Sequence, residues 1–180
     1  MRITIIGHGG GGKSTLARRL SGHFGVPRLE IDRLWFQHGG HDLFMRGNAT
    51  ESEKDVVRER ISRDVKEFLS KHTDWVIDGT YTKTQPMIAE AADTLVYIKR
   101  PLYKRVHSHL FRIVKNENRH PETTKLGDIL FTTTMVKRWA KGEYKKVEDF
   151  VANYKSKLVR LKSFKEINTY FDYLVEENKS

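Results

Sequence analysis

Apolar residues recur along the chain in two patterns, which predict alternating strands and helices. Residues 75–78 and 94–98 are nearly continuous apolar runs, as strands buried on both faces require. Residues 2–6 have the same character, residues 28–32 are expected to form a second strand, and residues 164–167 a short fifth one. Because helical segments separate these runs, they predict an α/β fold: three layers, with a parallel sheet of about five strands and helices on both faces.

Helices are indicated by an apolar period of three to four residues and by capping signals. Thr50 followed by Glu53 has the form of a capping box. The segment after it places apolar residues on one face, namely Val57, Ile61, Val65, Phe68 and Leu69. Pro101 opens a long basic helix. Other helices are expected at residues 14–20, 147–161 and about 171–177. Residues 36–49 are predicted to be a loop, and residues 122–142 fit either a helix or a mobile lid.

A glycine-rich segment joins the first strand to the first helix. Residues 7–14 read Gly-His-Gly-Gly-Gly-Gly-Lys-Ser and fit the phosphate-binding pattern G-x-x-x-x-G-K-[ST], in the strand–loop–helix context that the pattern requires. Glycines let the backbone wrap a polyphosphate, and the new helix adds unpaired N–H groups. We expect Lys13 to reach the β- and γ-phosphates and the Ser14 hydroxyl to hold Mg²⁺. The predicted nucleotide-binding residues are Gly7, Gly9, Gly10, Gly11, Gly12, Lys13, Ser14 and Thr15.

Length and composition limit the classes of protein to which this chain can belong. A chain of 180 residues with 38% hydrophobic residues suits one compact domain, residues 1–180. The absence of cysteine excludes disulfides and thiolate metal sites. No apolar run approaches the length of a membrane span, and the first run leads straight into the glycine-rich segment instead of resembling a secretory leader. We therefore expect a cytoplasmic protein without a membrane partner.

Positive charge is concentrated in one part of the chain. The formal net charge is +10, and residues 99–165 contain 18 Lys and Arg against 6 Asp and Glu. Such a segment favours a polyanionic partner, either a nucleotide or a nucleic acid.

Several charged residues are expected to meet near the glycine-rich segment. Ligands of parallel sheets bind beyond the carboxyl ends of the strands, where Asp32 would end the second strand and Asp78 the third. Either carboxylate could hold water on Mg²⁺ or accept a proton from an acceptor hydroxyl. Arg105, Arg112 and Arg119 are spaced by sevens and would share a helix face, and Arg100 follows the fourth strand. Arginine forks of this kind stabilise a transferring phosphoryl group.

Four stretches of the sequence resemble one known family. The glycine-rich loop, the segment from Ile31 to Trp35, the segment from Trp75 to Tyr81 (Trp-Val-Ile-Asp-Gly-Thr-Tyr) and the segment from Ala92 to Ile98 are similar to the DNA topology modulation protein family. That family is related to adenylate kinase and shikimate kinase among the P-loop kinases. Two departures are Gly11, where serine is commoner, and Lys99-Arg100, where an acidic residue is expected.

The resemblance implies a nucleoside-monophosphate-kinase-like fold that uses ATP and Mg²⁺ and has a mobile, arginine-bearing lid, here a lid or helical insertion around residues 102–142. It implies that Asp32 faces the acceptor or the metal, that Asp78 lies near Mg²⁺, and that Arg105 and Arg112 approximate the lid arginines.

Three functions remain open on the sequence. The leading hypothesis is an ATP-dependent phosphotransferase acting on a small molecule, with Lys13, Asp32, Asp78, Arg105 and Arg112 as catalytic residues. The second is a nucleic-acid-associated P-loop ATPase or regulator that uses the basic segment to affect DNA topology, although no helix-turn-helix, zinc-finger or RNA-recognition signature is visible. The third is a protein that binds nucleotide as a structural ligand.

Overall fold

A five-stranded parallel sheet forms the centre of the molecule, as predicted. The computed structural model describes residues 1–80, 83–115, 125–142 and 144–178. The strands are β1 (Arg2–Gly7), β2 (Arg28–Glu30), β3 (Trp75–Asp78), β4 (Thr94–Ile98) and β5 (Leu158–Leu161). They are all parallel and lie in the order β2-β3-β1-β4-β5. The central strand β1 therefore has two strands on each side of it, β3 and β2 on one side and β4 and β5 on the other.

Helices cover both faces of the sheet, which confirms the three-layer α/β class. The helices are α1 (Lys13–Phe24), α2 (Ile31–Gln37), α3 (Gly40–Arg46), α4 (Glu51–Lys71), α5 (Gln85–Ala91), α6 (Leu102–Val114), α7 (Lys125–Ala140), α8 (Tyr144–Ala152) and α9 (Phe164–Glu177). On one face, α1 and α9 bury Leu16, Leu20 and Ile167 against the sheet. On the other, α4, α5 and α8 pack against it through residues that include Ile61, Ile88 and Val151. No helix of the described segments is both long and apolar enough to cross a membrane.

The capping box predicted for α4 is present. The Thr50 hydroxyl accepts a hydrogen bond from the Glu53 N–H, and the Glu53 carboxylate accepts one from the Thr50 N–H at 2.8 Å. Val57, Ile61 and Val65 are buried on the face that the apolar period indicated. Local signals of this kind are reliable because they satisfy backbone groups at the helix end without help from distant residues.

The prediction of a loop at residues 36–49 is wrong, because this region contains the end of α2 and all of α3. Gly39 has a φ of 79° and allows the chain to turn between the two helices. Gly40 lies against the indole ring of Trp35, where a Cβ atom would come within 2.2 Å of a ring carbon. The glycines that suggested a loop are therefore needed for two short helices to pack closely.

The end of the chain also differs from the prediction. The helix expected at 147–161 ends at Ala152, and Leu158–Leu161 form β5 because they pair with β4 from Leu95 to Ile98. The strand expected at 164–167 is the start of α9. Ser163 caps that helix by accepting the N–H of Glu166 at 3.1 Å, a serine–glutamate spacing that the sequence displays.

Candidate active site

The glycine-rich loop lies at the carboxyl end of the central strand and has the conformation that only glycines adopt easily. Gly10 and Gly12 have φ values of 73° and 101°. Gly12 also precedes α1 without a side-chain cap, so the first N–H groups of α1 are left for an external acceptor. A Cβ atom on Gly10 would come within 2.9 Å of the Arg105 carbonyl oxygen, so α6 packs directly on the loop.

Lys13 is folded back across this loop. Its side chain is buried, with 7% exposed, and its Nζ donates to the His8 carbonyl oxygen at 3.4 Å. Ser14 follows on the first turn of α1 and is half-buried, whereas Thr15 is exposed. The structure thus places the predicted lysine over the loop and the predicted hydroxyl at its rim.

Thr80 secures the start of the loop, a role that the sequence interpretation missed. Its hydroxyl oxygen accepts the Gly7 N–H at 3.1 Å, and the hydroxyl donates to the Gly7 carbonyl oxygen at 2.8 Å. Thr80 follows β3 directly after Asp78 and Gly79. A hydroxyl two residues beyond the acidic end of the strand was the available signal. The following residue, Tyr81, lies outside the described residues.

Arginines approach the loop from the side of β4. Arg100, which is 8% exposed, donates from Nη1 to the Gly10 carbonyl oxygen at 3.0 Å. Its guanidinium carbon lies 3.7 Å from the centre of the Phe164 ring, a favourable cation–π geometry. Phe164 itself packs close to Gly12, whose Cβ would be 3.0 Å from the ring. Arg100 therefore joins the loop to the first residue of α9.

Arg105 lies deeper, with only 3% exposed, on the face of α6 that touches the loop. Burial lowers the pKa of Arg100, and burial together with the charge of Arg100 lowers the pKa of Arg105. Neither guanidinium has a carboxylate partner within the described part of the chain, and the Nε atoms of both are buried without a hydrogen bond there. Arg100, Arg105 and the buried His109 together form what we call the arginine side. Arg112 belongs to α6, but its side chain lies outside the described part, as does all of Arg119.

Carboxylates occupy the opposite side of the loop, at the ends of β2 and β3. Asp78, which is 1% exposed, accepts the Arg28 Nε at 2.7 Å. The Arg28 Nη2 lies 3.1 Å from Glu30 Oε2, and Glu30 is the register partner of Asp78. Burial alone would lower the pKa of Arg28, but its hydrogen bond to Asp78 and the charges of both carboxylates outweigh this effect and raise the pKa. Arg28 and Glu30 were not predicted; their spacing of two on one strand was the signal.

Asp32 does not end a strand, contrary to the prediction. The strand β2 stops at Glu30, and Asp32 lies half-buried in the first turn of α2. Where the chain turns, Ile31 packs against Gly79, at which a Cβ would come within 2.7 Å of the Ile31 Cβ. Asp32 still belongs to the same end of the sheet, and we call Arg28, Glu30, Asp32 and Asp78 the carboxylate side.

Strand order explains why the two sides face each other across the loop. The loop follows β1, the carboxylate side follows β3 and β2 on one flank, and the arginine side follows β4 on the other. Val76 packs with Leu16 and Leu20 of α1, and Asp78, two residues further along β3, lies on that same face. The carboxylate of Asp78 and the hydroxyl of Ser14 are the oxygen ligands that Mg²⁺ prefers, so these residues fit a magnesium ion.

The comparisons with known proteins agree with this architecture. Residues 3–96 match the family described as AAA domain. No curated protein matches the chain significantly. The fold is similar to that of TT1252 from Thermus thermophilus, with 17% identity, a TM-score of 0.56, and 97% of this chain and 96% of that chain covered. It is also similar to shikimate kinase from Bacteroides thetaiotaomicron, with 15% identity, a TM-score of 0.52, and 100% and 99% covered.

The match to the AAA domain family spans more than half of the chain, so the protein belongs to that family. At identities this low, the structural likenesses establish the fold alone, an α/β fold like that of the shikimate kinase.

Proposed function

We propose that the protein is a phosphotransferase that moves the γ-phosphate of Mg-ATP to a small-molecule acceptor. The observation that supports this best is a pair of buried arginines next to the phosphate-binding loop, neither of which has a carboxylate partner among the described residues. The Arg100 guanidinium donates to the Gly10 carbonyl oxygen, and the backbone of Arg105 packs against Gly10. Buried cations cost free energy unless an anion accompanies them. A polyphosphate bound in the loop would supply that anion.

The loop would bind the phosphates of ATP. The N–H groups of Gly9, Gly10 and Gly12, together with the N–H groups at the start of α1, can donate to phosphate oxygens. The Gly11 N–H donates to the His8 carbonyl oxygen at 3.2 Å and would exchange that acceptor for a phosphate. Lys13 would exchange the His8 carbonyl for the β- and γ-phosphates. Gly7 lies at one end of this cradle and Thr15 lies at the other.

Ser14 and Asp78 would hold the magnesium ion. When bound, the ion would neutralise charge on the phosphate oxygens. Arg28 keeps the Asp78 carboxylate in one orientation by its 2.7 Å hydrogen bond. The remaining carboxylate oxygen of Asp78 can then face α1.

The two sides of the loop would divide the chemistry. On the carboxylate side, Asp32 or Asp78 would orient the acceptor hydroxyl and accept its proton. On the arginine side, Arg105 and Arg112, with Arg100 beside them, would neutralise the transferring phosphoryl group. We further propose that the chain acts as a single P-loop domain in which α6 and α7 serve as the lid.

The DNA topology modulation family is our narrower hypothesis for the chain's relatives. The alternative of a nucleic-acid-associated ATPase is less well supported. Two cations of the basic segment, Arg100 and Arg105, are buried and so cannot contribute to an exposed surface for nucleic acid.

The substitution Lys13→Ala tests the proposed function. Transfer of label from γ-labelled ATP into a mixed pool of nucleosides, nucleotides, sugars and small metabolites should fall by about a hundredfold or more, because the variant lacks the charge that follows the transferring phosphate. The matched control is Lys66→Ala, which removes an exposed lysine of α4 and should transfer label as the wild type does. Unchanged transfer by a folded Lys13→Ala protein would refute the mechanism.

A further inference from the structure

We infer that the acceptor is a hydroxyl compound that carries no anionic group, such as a nucleoside, polyol or amino alcohol. The inference rests on the proposed function and concerns the charge balance of the carboxylate side. Nucleotides, sugar phosphates and hydroxy acids are the acceptors that it excludes.

The elements that form the carboxylate side contribute more negative than positive charge. Within β2, α2 and β3 there are three carboxylates, Glu30, Asp32 and Asp78, and two arginines, Arg28 and Arg33. Arg33 is exposed, on the opposite side of α2 from the buried Ile31 and Leu34. Arg28 is therefore the cation that these elements place among the carboxylates.

Arg28 is already engaged by two of those carboxylates. Its Nε donates to Asp78 Oδ1 at 2.7 Å, and its Nη2 lies 3.1 Å from Glu30 Oε2. Since Asp78 is almost completely buried, withdrawing the guanidinium to bind an anionic acceptor would leave a buried charge unpaired. Arg28 thus stabilises the carboxylates and is unsuited to neutralise a phosphate or carboxylate of the acceptor.

Two nearby cations are also paired. Arg58 of α4 contacts Asp55 at 2.9 Å and Glu51 at 3.2 Å, and Lys83, in the turn before α5, contacts Asp55 at 3.0 Å. An anion near this end of the sheet would approach Glu30, Asp32 and Asp78 without an uncommitted guanidinium of β2 or β3 to receive it. Like charges brought together in this way oppose binding.

The arginine side shows what this fold provides for an anion. Arg100 and Arg105 are buried, and their guanidinium groups have no carboxylate partner among the described residues. The same loop therefore has an anion-binding flank and an anion-repelling flank. ATP suits the first, and a neutral or cationic hydroxyl compound suits the second.

The reaction adds negative charge to the acceptor, and the carboxylate side repels that charge. The acceptor oxygen forms a bond to the γ-phosphorus, the bond from that phosphorus to the β,γ-bridging oxygen breaks, ADP leaves, and the hydroxyl proton passes to Asp32 or Asp78. The product then carries a phosphate where the acceptor had a hydroxyl. Repulsion from the carboxylate side favours release of that product and disfavours its return as a second acceptor.

Matched acceptor pairs test the inference. The probes are adenosine and AMP, uridine and UMP, glycerol and glycerol 3-phosphate, glucose and glucose 6-phosphate, and glycerol and glycerate, each with γ-labelled ATP and Mg²⁺. For each pair that is used, we expect kcat/KM for the uncharged member to exceed that of its anionic partner by about tenfold or more. Chromatography of the labelled products identifies the acceptor in each case.

A charge variant sharpens the test. Glu30→Gln removes one negative charge but leaves the Arg28–Asp78 hydrogen bond, so the preference for the uncharged member should shrink by about threefold or more. Glu59→Gln, which removes an exposed carboxylate of α4, should leave the preference unchanged. An equal effect of both variants would overturn the assignment to Glu30 and its neighbours.

The outcomes separate this inference from the function on which it rests. Label that enters AMP, UMP or the other anionic probes as well as or better than their partners overturns the inference and leaves a kinase. Label that appears only as inorganic phosphate overturns the proposed function, and the inference with it.

Discussion

The arginine side and the carboxylate side flank the same loop, yet they differ in whether their buried charges are ion-paired within the described residues. Asp78 is buried and ion-paired with Arg28 at 2.7 Å. Arg105 is buried just as fully but has no carboxylate partner in the described part of the chain. A paired buried charge is satisfied within the protein, whereas an unpaired one calls for a ligand of the opposite sign. The arginine side of the loop therefore suits an anionic ligand, and the carboxylate side does not.

The largest effect should come from breaking the pair on the carboxylate side. Arg28→Met leaves Asp78 buried without its cation, so the free energy of unfolding should fall by about 3 kcal/mol. Denaturant unfolding at pH 7 measures this change. The matched control is Arg58→Met, whose partners are on the surface of α4, and it should cost at most about 1 kcal/mol. Equal losses in the two variants would mean that burial at Asp78 does not make the difference.

A smaller effect is expected where α6 packs on the loop. Gly10→Ala places a methyl group 2.9 Å from the Arg105 carbonyl oxygen at a φ of 73°. This strain is worth about 1–2 kcal/mol and should weaken ATP binding by about tenfold, as measured by calorimetric titration.

The control for the loop is Gly22→Ala on α1. A Cβ at Gly22 meets open space, and alanine is the better helix former, so ATP affinity should be unchanged and the protein as stable as the wild type or slightly more so. ATP binding by Gly10→Ala that matched this control would show that the loop tolerates a side chain next to Arg105.

The smallest effect concerns Lys99, which precedes Arg100 but is paired. Its Nζ contacts Glu148 at 2.5 Å, and this hydrogen bond, despite some opposing burial, lowers the pKa of Glu148 from its ordinary value of 4.5. The folded state therefore holds the carboxylate ionised more strongly than the unfolded state does. The resulting stability is fully present above pH 4.5 and is lost as the pH falls through the lowered pKa.

Lys99→Met should abolish that contribution. At pH 7 the variant should be less stable than the wild type by less than about 1 kcal/mol, because both side chains are partly exposed. The difference should disappear in acid, as thermal unfolding at a series of pH values would reveal. A difference that persisted at low pH would assign it to packing instead of charge.

Local features of this protein could be read from its sequence, and features that depend on distant contacts could not. The Thr50–Glu53 capping box and the apolar runs of β1, β3 and β4 were predicted correctly because neighbouring residues decide them. Ile31 and Asp32 were predicted to end a strand, but they begin α2 where Ile31 packs on Gly79. Leu158–Leu161 were predicted to be helical, but they form a strand because they pair with β4.

The same distinction between local features and distant contacts applies to the candidate active site. The loop, with Lys13 and Ser14, could be recognised from the sequence alone, because the spacing of glycines, lysine and hydroxyl defines a phosphate cradle within eight consecutive residues. The sequence also placed Asp78 and Arg105 among the candidates. The folded structure was needed to show that Arg28 neutralises Asp78, that Thr80 forms hydrogen bonds with Gly7, and that Arg100 and Arg105 are buried without carboxylate partners among the described residues. The physical reason is that the pairing of a buried charge depends on which strands become neighbours, and the order β2-β3-β1-β4-β5 is a property of the whole sheet.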